Sequence, residues 1–221
     1  MSSLIKTSKE HLTYTPYYCE ENAYKLLEYM KEFGDLHCTY VVFVSNMNKS
    51  TLGWLVRSNK GRLSNGPFCY MGSCPLNIIY DCSFKDYHVF IIYNSISEYL
   101  VYDFDSLLPF PTPFVHYFAH GLRRNDILPE RLRRFYRVIP GTDYLNYFSS
   151  DRSHMQRDDG SWMAPPPSYG CICGQNSGSS HNLPFYLDMT MNVVGENSLI
   201  TDRVYGTVLS ENEFFEKFSG L

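Results

Sequence analysis

The sequence predicts an α+β fold in which an N-terminal helix packs on an antiparallel sheet. Three observations support this class. Apolar residues recur at helical spacing from Glu20 to Phe33, two strand-like runs between Asp86 and Asp103 flank a short turn, and a second helical pattern runs from Ser210 to Phe218. A helix followed by an antiparallel hairpin and later helices indicates α+β.

The composition is that of a well-packed globular domain. Of the 221 residues, 19% are charged and 16% are aromatic, which argues against a disordered chain. A net charge of −4 provides no overall field for nucleic acid or anionic lipid. No apolar run approaches the roughly 20 residues that span a bilayer. We therefore expect a soluble, intracellular protein with no nucleic-acid or membrane partner, formed by a flexible leader (1–15) and a single domain (16–221).

Seven cysteines stand at positions 19, 38, 69, 74, 82, 171 and 173. An odd count at irregular spacing, in a chain large enough to fold without disulfides, predicts free thiols in a reducing compartment. One of these thiols could be reactive.

The first half of the chain contains the clearest elements. Gly34 is placed to end the helix that starts at Glu20. The predicted strands are Thr39–Val44, Asp86–Tyr93 and Glu98–Asp103. Between Met47 and Cys82, glycine and proline interrupt short apolar pieces, so this segment is an excursion of undefined shape.

The second half predicts shorter elements. They are a helix at Phe114–Ala119 and a half-exposed strand at Arg131–Ile139. A short helix follows, capped by Asp143 and ending at Phe148. The terminal helix begins with a capping box formed by Ser210 and Glu213.

Cys19 lies where an extended segment turns into the first helix. A thiol attacks an amide efficiently only as the thiolate, which a helix N-terminus favours. Glu20 and Glu21 oppose that charge, so a cationic partner, usually histidine, is required.

The hairpin indicates which histidine. If Asn94–Ser97 forms the turn, Tyr93 faces Glu98, and His88 faces Asp103 further out. Directly opposed residues project from one face with Cβ atoms about 5 Å apart, so Asp103 could fix the tautomer of His88 for a nucleophile. Asp86 and Asp105 share this face and rank second.

Each of these residues also has a structural interpretation. Free cysteine is often simply buried, and a strand histidine is often satisfied by packing. Cys171 and Cys173 with His154 or His181 lack the usual spacing of zinc ligands, so no metal is expected. The arginines of Arg131–Arg137 could contact nucleic acid, but a charged edge strand is the better explanation in an acidic chain. The polar run Ser150–Met155 could line a pocket or form a solvated loop.

Several motifs occur in an order that resembles protein N-terminal glutamine amidohydrolases. They are Tyr18-Cys19-Glu20-Glu21-Asn22, Asp86-Tyr87-His88-Val89, Tyr102-Asp103-Phe104-Asp105, Leu108-Pro109-Phe110-Pro111, Ser150-Asp151-Arg152-Ser153-His154-Met155 and Pro165-Pro166-Pro167. The similarity extends from about Tyr17 to about Phe218.

The resemblance implies a papain- and transglutaminase-like fold and a monomer found in cytosol and nucleus. It implies that Cys19 is the nucleophile, His88 the general base and Asp103 the orienting residue, without a cofactor. The substrates would be proteins or peptides that begin with glutamine, and the glutamate product would enter the N-degron pathway. Two departures are Lys85, where the family typically has tryptophan, and an apparent insertion around 64–82.

Recognition of a free N-terminus requires a site for the α-ammonium. Asp151 is the first candidate by charge, followed by Glu20 and Glu21, and Asp105 is also kept as a substrate-binding candidate. The alternative functions are a cysteine peptidase or acyltransferase on the same triad, and a non-catalytic peptide- or RNA-binding domain.

Overall fold

The computed structural model of the chain describes residues 8–54, 82–190 and 204–220. Within these ranges it contains five α-helices: α1 (Cys19–Glu32), α2 (Phe114–Tyr117), α3 (Gly141–Tyr147), α4 (Leu183–Leu187) and α5 (Glu211–Ser219). The strands are β1 (Thr39–Ser45), β2 (Thr51–Trp54), β3 (Cys82–Lys85), β4 (His88–Asn94), β5 (Tyr99–Tyr102), β6 (Thr112–Pro113), β7 (Phe135–Pro140), β8 (Ser149–Ser150), β9 (Ile172–Cys173) and β10 (Thr207–Leu209).

Six strands form the central sheet in the order β10-β7-β1-β4-β5-β6, and every neighbouring pair is antiparallel. The α+β class and the antiparallel sheet are therefore confirmed. α1 begins and ends close to its predicted bounds, and Gly34 follows it with a φ of +80°, a conformation that glycine adopts without strain.

Helices cover both faces of this sheet. Val41 and Phe43 of β1 pack with α1, α3 and α4 on one face, whereas Val42 and Val44 pack with α2 and α5 on the other. Because successive side chains of a strand point to opposite faces, a strand buried on both sides must be apolar throughout. This explains the uninterrupted run of β1.

β7 differs from the half-exposed strand predicted for the arginine-rich segment. It is an interior strand between β10 and β1, and Arg134 and Arg137 are 1% and 5% exposed. Their guanidinium groups donate to backbone carbonyls, including those of Leu122 and Tyr205. These two arginines are therefore neither part of a nucleic-acid surface nor on a solvated edge strand.

Two helix starts can be compared with their predicted caps. Pro140, rather than Asp143, occupies the N-cap of α3, and Asp143 lies within its first turn. The capping box of α5 is confirmed, because Ser210 Oγ accepts from the Glu213 N–H and the Glu213 carboxylate accepts from the Ser210 N–H at 2.8 Å.

The register of the β4–β5 hairpin differs from the prediction. The turn comprises Ser95–Glu98, one residue later than expected, and Tyr93 therefore pairs with Leu100 instead of Glu98. The pairing slips by two residues, and a slip of two keeps each side chain on its face. His88 and Asp103 lie beyond the last pair of this hairpin, Ile91 with Tyr102, and the observed register does not make them directly opposed residues.

β2 and β3 form a separate two-stranded sheet in which Thr51 pairs with Lys85. β2 lies within the excursion predicted between Met47 and Cys82, and β3 begins at the last residue of that excursion. Residues 64–81 of the expected insertion lie outside the described residues. No helix in the described ranges is long and apolar enough to cross a membrane.

Candidate active site

Cys19 is the first residue of α1, and the chain before it is held in place by Asn22. The Asn22 side chain accepts from the Thr15 N–H at 2.7 Å and donates to the Thr15 carbonyl at 2.8 Å. Tyr18 is fully buried, and its hydroxyl donates to the Ala164 carbonyl at 3.2 Å. These contacts fix the position at which the extended segment becomes helical, and hence the position of the thiol.

The surroundings of Cys19 disfavour its thiolate in the resting site. Burial, followed by the charge of Glu20, raises the pKa of the Cys19 thiol well above its ordinary value, while the charge of Lys85 acts in the opposite direction. The sulfur lies 3.6 Å from Glu20 Oε2. The helix N-terminus therefore does not by itself activate this cysteine, as the two neighbouring glutamates had indicated.

His88 and Asp103 are in direct contact. His88 Nε2 lies 2.9 Å from Asp103 Oδ2, and the Tyr117 hydroxyl donates to the same oxygen at 2.7 Å. Burial would raise the pKa of Asp103, but the charge and hydrogen bond of His88, with Lys85 and Tyr117, hold it well below its ordinary value. Asp103 is thus held as a carboxylate in direct contact with the imidazole.

The second aspartate of the pair has other partners. Asp105 Oδ2 accepts from Lys85 Nζ at 2.5 Å, and Asp105 Oδ1 accepts from the Tyr14 hydroxyl at 2.9 Å. Its distance to His88 Nδ1 is 4.0 Å. Asp103 rather than Asp105 therefore makes the close contact with the histidine.

The structure brings Cys19 and the Asp103–Asp105 turn to the lining of one narrow cavity. His88 and Lys85 line a separate cavity with Tyr117. Within the described residues, no hydrogen bond joins Cys19 to His88. The histidine-aspartate pair is therefore assembled, while the thiol is near it but not bonded to it.

Glu20 is a fully buried carboxylate with unused acceptor capacity. Its Oε2 accepts from the Tyr87 hydroxyl at 2.9 Å, whereas Oε1 has no hydrogen-bond partner in the described part of the chain. Nε2 of His154 lies 3.4 Å from Oε1. A buried carboxylate oxygen without a donor is costly, so this oxygen is a position where a ligand donor would be stabilised.

The Glu21 carboxylate forms a bidentate ion pair with Arg152. Arg152 Nε and Nη2 each donate to one Glu21 oxygen at 2.8 Å, and both side chains are almost completely buried. Arg152 also donates to the carbonyls of Tyr169 and Gly170. The predicted polar run therefore contributes a buried side chain, Arg152, which connects the start of α1 to the loop at Tyr169 and Gly170.

Asp151 lies at the surface, with 41% of its side chain exposed, and its Oδ1 is 3.2 Å from His181 Nδ1. The His181 ring stacks on that of His154 at 5.8 Å between centroids. Cys171 and Cys173 are exposed free thiols. Among the residues described, no group of three or more His, Cys, Asp and Glu side chains is arranged to hold a metal ion.

Three side chains at the site were not assigned a role from the sequence. Tyr117 binds Asp103, Lys85 lies between Asp105 and His88, and His154 lies beside Glu20. Lys85 was noticeable only as a departure from the family pattern, and His154 only as part of a polar run and as a zinc-ligand candidate that its spacing disfavoured. No local signal pointed to Tyr117, which reaches Asp103 from α2.

The Glu21–Arg152 pair leads to a stability prediction. Arg152→Met should lower the free energy of unfolding by about 3–5 kcal/mol, because the Glu21 carboxylate would remain buried without its partner. Urea denaturation of the variant and the wild type measures this difference. Arg157→Met is the control, since Arg157 is exposed and its replacement should change stability by no more than about 0.5 kcal/mol. A loss below about 1 kcal/mol for Arg152→Met would contradict the assigned role.

Comparison with known proteins agrees with the predicted family. The model of the family described as N-terminal glutamine amidase matches residues 14–68 and 80–218. The chain is 34% identical over 214 residues to the protein N-terminal glutamine amidohydrolase of Bos taurus, covering 96% of this chain and 89% of the relative. It is 37% identical over 209 residues to the protein of the same name from Drosophila melanogaster, covering 93% and 88%.

The family model extends over most of the chain, including Cys19, His88 and Asp103, and these two relatives cover 96% and 93% of it. The chain therefore belongs to the N-terminal glutamine amidase family.

Proposed function

We propose that this protein hydrolyses the side-chain amide of an N-terminal glutamine in proteins or peptides, producing glutamate and ammonia. The observation that carries the proposal is the His88–Asp103 pair, bonded at 2.9 Å, beside a cysteine at a helix N-terminus in a chain of this family. A cysteine, a base and a group that orients the base are the components of nucleophilic amide hydrolysis.

The orientation of His88 supports a defined division of roles. With Nε2 committed to Asp103, Nδ1 carries the lone pair that can accept a proton. The Cys19 proton passes to Nδ1, the thiolate attacks the amide carbon, and the C–N bond breaks as His88 returns the proton to the departing ammonia. Water, deprotonated by His88, then attacks the thioester, releases glutamate and restores the thiol.

The tetrahedral intermediates require donors for the oxyanion. The backbone N–H of Cys19, at the first residue of α1, is the proposed donor. Cys19 rests as a neutral thiol, because burial and Glu20 disfavour its thiolate. Negative charge therefore develops on the sulfur and on the oxyanion only during the reaction, and the helix N-terminus stabilises it there.

Glu20 is the best candidate for the α-ammonium. Glu21 already accepts two hydrogen bonds from Arg152, and Asp105 accepts from Lys85 and Tyr14. Asp151 is exposed and paired with His181. Glu20 adjoins Cys19 and has one oxygen without a hydrogen-bond partner, so we propose that the substrate ammonium binds there as His154 moves aside.

The remaining expectations also stay proposals. They are a papain- and transglutaminase-like relationship of the fold, a monomeric enzyme in cytosol and nucleus without a cofactor, and a glutamate product that enters the N-degron pathway through arginylation. A cysteine peptidase on the same three residues is the competing function, and it differs in the bond that is broken.

A peptide panel tests the reaction. Peptides that begin with glutamine, begin with asparagine, contain only internal glutamine or lack glutamine are incubated with the protein, and ammonia and peptide mass are followed. We expect ammonia only from the first peptide, and a loss of kcat of at least about 10⁴-fold in Cys19→Ala. Cys171→Ala, at an exposed thiol, is the matched control and should keep full activity. Backbone cleavage would establish the peptidase instead, and an inert protein would exclude both enzymes.

A second comparison tests Glu20. The wild-type protein should prefer a peptide with a free N-terminal glutamine over its Nα-acetylated form. In Glu20→Gln the ratio of the two kcat/KM values should fall about 10- to 100-fold, since a charge-assisted hydrogen bond contributes about 1.5–3 kcal/mol. Glu28→Gln, on the exposed side of the same helix, should leave the ratio unchanged. An undiminished ratio in Glu20→Gln would place the α-ammonium elsewhere.

A further inference from the structure

The small β2–β3 sheet brings a cation into the candidate active site. Lys85 is the last residue of β3 and is paired through the backbone with Thr51 of β2. Its side chain is about one-quarter exposed and lines a cavity with His88 and Tyr117. The position of this ammonium therefore depends on a part of the fold that is separate from the central sheet.

The ammonium contacts two groups of the site. Lys85 Nζ donates to Asp105 Oδ2 at 2.5 Å and lies 3.2 Å from His88 Nδ1. Because Nε2 of His88 faces Asp103, Nδ1 is the acceptor in the second contact. Lys85 thus engages the ring nitrogen that has to receive the Cys19 proton in the reaction proposed above.

Carboxylates dominate the charge around Cys19. Glu20 comes from α1, Asp86 from the segment between β3 and β4, and Asp105 from the turn after β5. Asp103 and His88 form their own pair. A thiolate at Cys19 would be repelled by these three carboxylates. Cys19 lines one cavity with Asp105, to which Lys85 Nζ donates at 2.5 Å, so the Lys85 ammonium acts against this repulsion.

We propose that Lys85 is a positioning residue that supplies the positive charge beside the Cys19 thiolate and aligns the acceptor nitrogen of His88. Asp105 holds the ammonium at this place. During activation the S–H bond of Cys19 breaks and an N–H bond forms at Nδ1, as Lys85 withdraws from that nitrogen onto Asp105 and keeps its own protons. This inference rests on the proposed function for its catalytic consequence, but the charge effect on Cys19 can be measured without turnover.

The same contacts allow an opposite effect. If Lys85 mainly occupied Nδ1 and blocked proton transfer, its removal would activate the thiol instead of silencing it. The two effects differ in sign, so one measurement separates them.

The test is the pH dependence of Cys19 alkylation by iodoacetamide, with the modified peptide quantified by mass spectrometry. In Lys85→Met the rate at pH 7 should fall about tenfold and the midpoint should move up by about one pH unit, because a nearby cation no longer stabilises the thiolate. Lys85→Arg should keep a profile close to that of the wild type. Lys25→Met, which removes an ammonium of α1 that pairs with Glu28 at 2.7 Å, is the matched control.

An equal or faster rate in Lys85→Met would overturn the proposal. Lys85→Gln, which can still donate to Asp105, replaces the methionine variant if that variant does not fold, as judged by circular dichroism. Alkylation requires no glutamine substrate, so an absence of amidase activity would refute the proposed function while leaving this test of Lys85 intact.

Discussion

The buried hydrogen bond between His88 and Asp103 is the interaction on which the rest of the site depends. Asp103 is 5% exposed, and a buried carboxylate is stable only when donors surround it. His88 and Tyr117 of α2 donate to its Oδ2, and the backbone N–H of Asp105 donates to its Oδ1 at 2.9 Å. Because Asp103 binds Nε2, Nδ1 is the nitrogen that would accept a proton in the proposed reaction, and Lys85 contacts that nitrogen. One buried carboxylate thus determines how the imidazole, the ammonium and the thiol can act on each other.

The fold provides these groups through its layered sheet. β4 carries His88 and runs beside β1, while α1 packs across the same strands and holds Cys19 at its first residue. α2 reaches Asp103 from the opposite face through Tyr117. The site therefore lies at one end of the β4–β5 hairpin, where β4 begins and β5 ends, and it combines residues of α1, β4 and α2.

The sequence allowed the central features to be predicted because they rest on local periodicity. The face shared by His88 and Asp103 follows from the two-residue period of strands, and for that reason it survived the incorrect turn. The features that could not be predicted depend on distant contacts. Arg152 binds Glu21, which lies 131 residues earlier in the sequence. Arg134 and Arg137 are buried where their guanidinium groups donate to carbonyls of other segments. Charge alone favoured Asp151 for the substrate ammonium, whereas unused acceptor capacity, which only the packed structure reveals, favours Glu20.

Two neighbouring aspartates, Asp103 and Asp105, allow the most direct test of the His88–Asp103 pair. Kinetics with a peptide that begins with glutamine would give kcat/KM for Asp103→Asn and Asp105→Asn, with circular dichroism to confirm that both variants are folded. If Asp103 orients His88, its replacement should lower kcat/KM by about 10³- to 10⁴-fold and by at least about tenfold more than the replacement of Asp105. An equal or larger loss in Asp105→Asn would contradict the assignment of Asp103 as the orienting residue.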